Sequence, residues 1–84
     1  MNECLDLAGG SPADGATVQQ WTQNGGTNQR WQILPAEPGY YKIQNLASGK
    51  VLDVTGGPSA VGSRVRVQQW TWTGGDNQKW RLTR

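Results

Sequence analysis

Short alternations of apolar and polar residues recur along the chain, and each closes on glycine or a polar turn. Leu5-Asp6-Leu7 and Val51-Leu52-Asp53-Val54 are β-prone runs ending at Gly9-Gly10 and Gly56-Gly57, where a positive φ is expected. Val18-Gln19-Gln20-Trp21 and Val65 to Trp70 read as the next strands, each followed by a polar loop with another Gly-Gly pair. Trp31-Gln32-Ile33 and Trp80-Arg81-Leu82 alternate again, and Tyr40-Tyr41-Lys42-Ile43-Gln44 supplies a further strand. Seven strands are predicted in this way, with no stretch of helical period, so the fold class is all-β.

These runs belong to an internal repeat. Cys4 to Gly15 lies over Val51 to Gly62 at an offset of 47, and Ala16 to Ile33 lies over Val65 to Leu82 at an offset of 49, because Ser63 and Arg64 are extra. Sixteen of 30 aligned positions are identical. One module over residues 1–84 therefore contains unit one at about 2–34, a connector at 34–39 and unit two at about 40–84. Two prolines in Leu34 to Gly39 predict an extended, stiff connector that keeps the units from folding back on each other.

Composition narrows the partners. Of the 84 residues 35% are hydrophobic, none is Phe, and the mean hydropathy of -0.70 leaves no run able to span a bilayer, so membrane insertion is not expected. Twelve Gly and five Trp beside 17% charged residues separate the chain from disordered sequences. Eight basic against six acidic residues, with no basic block, make nucleic acid an unfavoured partner, although exposed Trp with Arg64 and Arg66 would be the way to bind it. Cys4 is the single cysteine and cannot close an intramolecular disulfide. The start at Met1 carries no leader pattern and reads as a mature or excised module, natural or engineered.

Catalytic chemistry has little to work with. There is no histidine to activate a nucleophile or build a zinc site with Cys4, and no acidic loop with metal spacing surrounds Asp14 or Asp76. Asp6 and Asp53 are equivalent residues of two copies and are expected in two separate sites, so they do not form a glycosidase pair. No enzyme activity, cofactor or metal is expected. Each unit does share an Asp in its first strand, a Gln-Gln-Trp in its next and an Asn-Gln-basic-Trp after the Gly-Gly loop. Carboxylate, amide and indole are the groups that hold a sugar, by hydrogen bonds to vicinal hydroxyls and packing on the C–H face. The same residues also suit a purely structural role, Trp as core and Gln or Asn as partners of turn backbone.

The Leu-Asp-Val/Leu segments, the repeated Gln-x-Trp of Gln19-Gln20-Trp21, Gln29-Arg30-Trp31, Gln68-Gln69-Trp70 and Gln78-Lys79-Trp80, and YYKIQNLASGKVLDV resemble the ricin-type β-trefoil lectins, or family 13 carbohydrate-binding modules. The resemblance implies a β-trefoil of three repeats, here represented by two, and a shallow site for galactose-type glycans on each repeat. It makes Asp6 the hydroxyl acceptor of the first site, Trp21 its platform, Asn28 the amide partner, Gln29 the buttress of the carboxylate and Gln19 a neighbour. The second site follows as Asp53, Trp70, Asn77, Gln78 and Gln68, while Trp31 and Trp80 match the family's core Trp. The alternative is a protein-interaction or structural trefoil scaffold whose sugar pockets are vestigial.

The family's frequent disulfide would fall on Cys4 with Gln23 and Val51 with Trp72, so no intrachain staple forms; Trp72 could fill core space, widen the second site or meet another chain. Two units per chain against three per trefoil imply homo-oligomers, with a trimer favoured because three chains carry six units. A lone chain is expected to leave strand edges and the faces of Trp31 and Trp80 uncovered. Lectins of this type point to a secreted or extracellular location.

Overall fold

A computed structural model describes residues 2–57, 59 and 66–83. Ser63, Arg64 and the Val65 start of a predicted strand lie outside the described residues. Among the described residues six strands form: β1 (Glu3–Leu7), β2 (Val18–Thr22), β3 (Trp31–Glu37), β4 (Tyr40–Asn45), β5 (Val51–Val54) and β6 (Val67–Trp70). β1 and β2 make one antiparallel pair, and β3-β4-β5-β6 make a four-stranded antiparallel sheet. Single-turn 3-10 segments at Ala8–Gly10, Thr27–Gln29 and Asp76–Gln78 punctuate the units.

Two expectations are corrected. The predicted connector is strand: β3 runs through Leu34, Pro35 and Glu37 and turns at Pro38-Gly39 into β4. Pro35 is tolerated because β3 is an edge strand, and a bulge between Pro35 and Glu37 takes up the irregularity. The hairpin folds the units back together. The predicted strand at Trp80-Arg81-Leu82 reduces to one bridge between Trp80 and Tyr41, whereas Trp31 has the whole returning strand β4 to pair with.

Leu7, Val18 and Leu52 form the core cluster, drawn from both units, and Ala16, Trp31, Ile43, Val67 and Trp80 pack against it. Trp31 and Trp80 are therefore half-buried even in a single chain, each with its indole N–H donating to a carbonyl of the unit's first strand, Leu5 at 3.0 Å and Leu52 at 3.3 Å. Among the described residues the exposed large aliphatic side chains are Leu5, Ile33, Leu46 and Leu82 instead.

The loop before β2 fastens unit one to unit two. Gln69 is fully buried; its Nε2 donates to Ser11 O and Ala13 O, both at 2.7 Å, and its Oε1 accepts from Ser48 Oγ at 2.7 Å. Backbone bonds run from Gly15 N to Gln69 O and from Gln69 N to Ala16 O. Asp14 accepts from Thr71 N at 2.8 Å and Thr71 Oγ1 at 2.9 Å, and pairs with Lys50 at 3.1 Å; Lys50 also donates to Pro12 O. Partial desolvation pushes the Asp14 carboxyl up, but the Thr71 and Lys50 interactions outweigh it and hold the group below its ordinary 3.8.

Burial separates two glutamines that occupy the same place in the repeat. Gln69→Ala should destabilise the fold by about 1–3 kcal/mol, because three partners lose their bonds to a fully buried side chain, while Gln20→Ala, at the equivalent exposed position, should cost under about 0.5 kcal/mol. Urea titration of both variants checks this; equal losses would count against the role given to Gln69. Since folding lowers the Asp14 pKa, its contribution is present above 3.8 and fades as pH falls below it. The gap in urea midpoint between the wild type and Asp14→Asn should accordingly be open near neutrality and close in acid.

Candidate functional site

Strand register brings the first constellation together. Asp6 on β1 lies opposite Gln19 on β2, and Trp21, two residues on, shares the face of Gln19. The Thr27–Gln29 turn then delivers Asn28 and Gln29 to the same carboxylate. Asp6 Oδ1 accepts from Gln19 Nε2 at 3.2 Å, and Oδ2 accepts from Asn28 Nδ2 at 3.3 Å and Gln29 Nε2 at 2.8 Å. Asn28 also donates to Leu7 O and Gln29 to Thr22 O, so each amide is anchored to backbone as well as to Asp6.

Unit two repeats this bond for bond. Asp53 Oδ1 accepts from Gln68 Nε2 at 3.0 Å, and Oδ2 accepts from Asn77 Nδ2 at 3.1 Å and Gln78 Nε2 at 2.9 Å. Asn77 donates to Val54 O and Gln78 to Thr71 O. Asp6 and Asp53 are only 3% and 4% exposed, and amide donors surround both carboxylates. The indoles at the strand ends are open, Trp21 at 53% and Trp70 at 38%. A cavity of about 400 Å³ in unit two is lined by Asp53, Gly56, Gly57, Gln68, Trp70, Thr73 and Asn77.

All ten residues singled out from the sequence thus fall into two constellations, one per unit. Gln29 and Gln78 lie behind the carboxylates, each also accepting a backbone N–H, from Asn24 and Thr73 respectively. Sequence reasoning missed Thr22 and Thr71 as carbonyl anchors, although both follow the shared Gln-Gln-Trp. It also missed Gly26, where a side-chain Cβ would stand 2.5 Å from Asn28 Oδ1, so that glycine leaves room for the amide. Trp72 is not among the residues lining the unit-two cavity; it is half-buried, with Lys42 Nζ 5.0 Å from its ring centroid. Cys4 is free. Among the described residues no three His, Cys, Asp or Glu side chains gather as a metal site.

An all-β chain of paired repeats, each with a buried carboxylate, two amide-bearing segments and an open indole, is the architecture of a trefoil lectin unit. The chain matches the ricin-type β-trefoil lectin domain-like family over residues 1–67 and again over 35–84, and it belongs to that family. It is similar in structure to the designed 3-fold symmetric protein ThreeFoil, with a TM-score of 0.90 and 40% identity over 98% of this chain and 57% of that one. It is similar also to 1,3Gal43A, an exo-β-1,3-galactanase from Clostridium thermocellum, with a TM-score of 0.84 and 39% identity over 94% of this chain and 17% of that one. The hemolytic lectin CEL-III shares the fold at a TM-score of 0.81 and 24% identity, over 98% of this chain and 18% of that one. The chain therefore spans 57% of ThreeFoil and under a fifth of the other two. No curated protein matches it.

Proposed function

We propose that the chain is a non-catalytic lectin module with one shallow site per unit for galactose-containing glycans. One observation carries the reading: a buried carboxylate held by three amides stands twice on the same face of a strand pair as an exposed indole. An ionised carboxylate offers roughly four acceptor positions, so three amides leave about one for a sugar hydroxyl. The Asn carboxamide addresses the neighbouring hydroxyl, and the ring's C–H face packs on Trp21 or Trp70. Each carboxylate stands in its own network, not facing a partner across one glycosidic bond, which supports binding without hydrolysis. Carbohydrate binding is supported by the family, and the choice of galactose rests on the likeness to an exo-β-1,3-galactanase and on what the sequence resemblance implies.

Unequal exposure of the two units supports self-association. Leu5 is 37% exposed where its counterpart Leu52 is 6%, and Gln20 is exposed where Gln69 is buried. The chain's 5556 Å² of accessible surface also exceeds the about 4,900 Å² usual for its mass. The homotrimer is the favoured assembly, since three chains carry the six units of two trefoils; multivalency of this kind would raise avidity on glycan-coated surfaces by about 10²–10⁴ where geometry permits.

Galactose and lactose titrations should detect binding near millimolar affinity, about -4 kcal/mol, and the Asp6→Ala, Asp53→Ala double variant should abolish it, because losing a charged acceptor removes about 1.5–3 kcal/mol. Unchanged binding in that variant rejects the sites; no binding to a glycan array by the wild type would leave the scaffold reading. For assembly, light scattering over a range of concentrations should give three chain masses, and a persistent single-chain or two-chain species overturns the trimer.

A further inference from the structure

We infer that the Ser11–Thr17 segment of unit one is a positioning element of the second site, with Asp14 as its main positioning residue, so that the two sites of one chain are unequal. The inference rests on the sugar-binding reading for its ligand, but the geometry stands without one. The segment lies along the outer edge of β6, which carries Gln68 and Trp70. Thr17 bridges Gln68, the amide on Asp53 Oδ1. The Gly15 and Ala16 backbone bonds clasp Gln69, between Gln68 and Trp70. Gly15 itself abuts the platform: a Cβ there would sit 3.7 Å from Trp70 Cζ3, and its φ of +85° suits glycine.

Asp14 is the far end of an unbroken relay. It fixes Thr71 through the amide and hydroxyl, the Thr71 carbonyl accepts from Gln78 Nε2 at 2.9 Å, and the same Nε2 donates to Asp53 Oδ2 at 2.9 Å. Nothing among the described residues does this for the first site. Among the described residues β2 has β1 as its sole strand partner, Gln20 and Thr22 are exposed, and the Thr22 carbonyl holds Gln29 without a carboxylate behind it. The burial of the two networks follows: Asn77 and Gln78 are buried, Asn28 and Gln29 half-buried, and Trp70 is less exposed than Trp21. A site whose groups are already ordered loses less freedom when a ligand arrives, so the second site is the tighter one.

The experiment follows the Trp21 and Trp70 indole N–H signals, and the side-chain amides of Gln29 and Gln78, by NMR in the 84-residue chain during lactose titration. In the wild type Trp70 should saturate at about fivefold lower lactose than Trp21; Asp14→Ala should remove most of that advantage while leaving Trp21 unchanged, and Asp14→Asn, which keeps an acceptor for Thr71, should retain part of it. Trp21 is the control inside the same molecule, because general destabilisation would move both sites. Equal affinities in the wild type overturn the inference, as does an Asp14→Ala effect shared by both sites or confined to Trp21. If lactose moves neither indole, the sugar-binding reading fails, and the ligand-free spectra decide the positioning role alone. Asp14→Ala should then speed hydrogen exchange of the Gln78 side-chain amide with no change at Gln29, and an unchanged Gln78 amide overturns it.

Discussion

Two carboxylates that lie almost wholly out of water, with amide N–H groups as their partners, set the terms for the rest of the structure. A buried unpaired charge costs several kcal/mol, so Asp6 and Asp53 are admissible only while three N–H donors face each of them. Those donors come from a neighbouring strand and from a turn more than twenty residues further along. Each carboxylate therefore ties a strand pair to a distant loop, the task a disulfide performs in many small domains. Cys4 is free, and each unit is stapled by hydrogen bonds to a charge instead.

This staple explains what the sequence made legible. Asp, Gln and Asn-Gln recur because the same strand register sets Asp opposite Gln in both units, and that pairing survives the insertion of Ser63 and Arg64, which lengthens the Asp-to-Gln spacing from 13 to 15 residues. The strands themselves followed from alternation. The connector misled because its two prolines weigh against pairing only in an interior strand, and the position of Leu34 to Glu37 on a sheet edge is a property of the whole fold.

A second group of features could not be read locally at all. Gln20 and Gln69 sit in the same tetrapeptide, Val-Gln-Gln-Trp, yet one is exposed and the other fully buried. The difference is the neighbour: the Ser11–Ala16 loop reaches Gln69, whereas Gln20 has only its strand partner β1 among the described residues. Asp14 shows the same limit. As a lone acidic residue in a Gly-rich loop it carries no local sign of its role; in the fold it meets Thr71 and Lys50 of the other unit.

Duplication also bears on how such a module can work while each site stays shallow. The carboxylate, amides and turn are fixed before a ligand arrives, so little ordering remains to oppose binding, but the acceptor capacity left over is small and the indole stays open to water. On the sugar-binding reading, tightness cannot come from enclosing the ligand. It has to come from repetition, and repetition is useful only if the units hold a fixed relation that lets two sites engage one surface together. The loop that seals Gln69 and the hairpin from β3 into β4 provide that relation. On the sugar-binding reading, the contacts that join the units serve binding as well as the fold, and they reach the second network through Thr71 and Gln78.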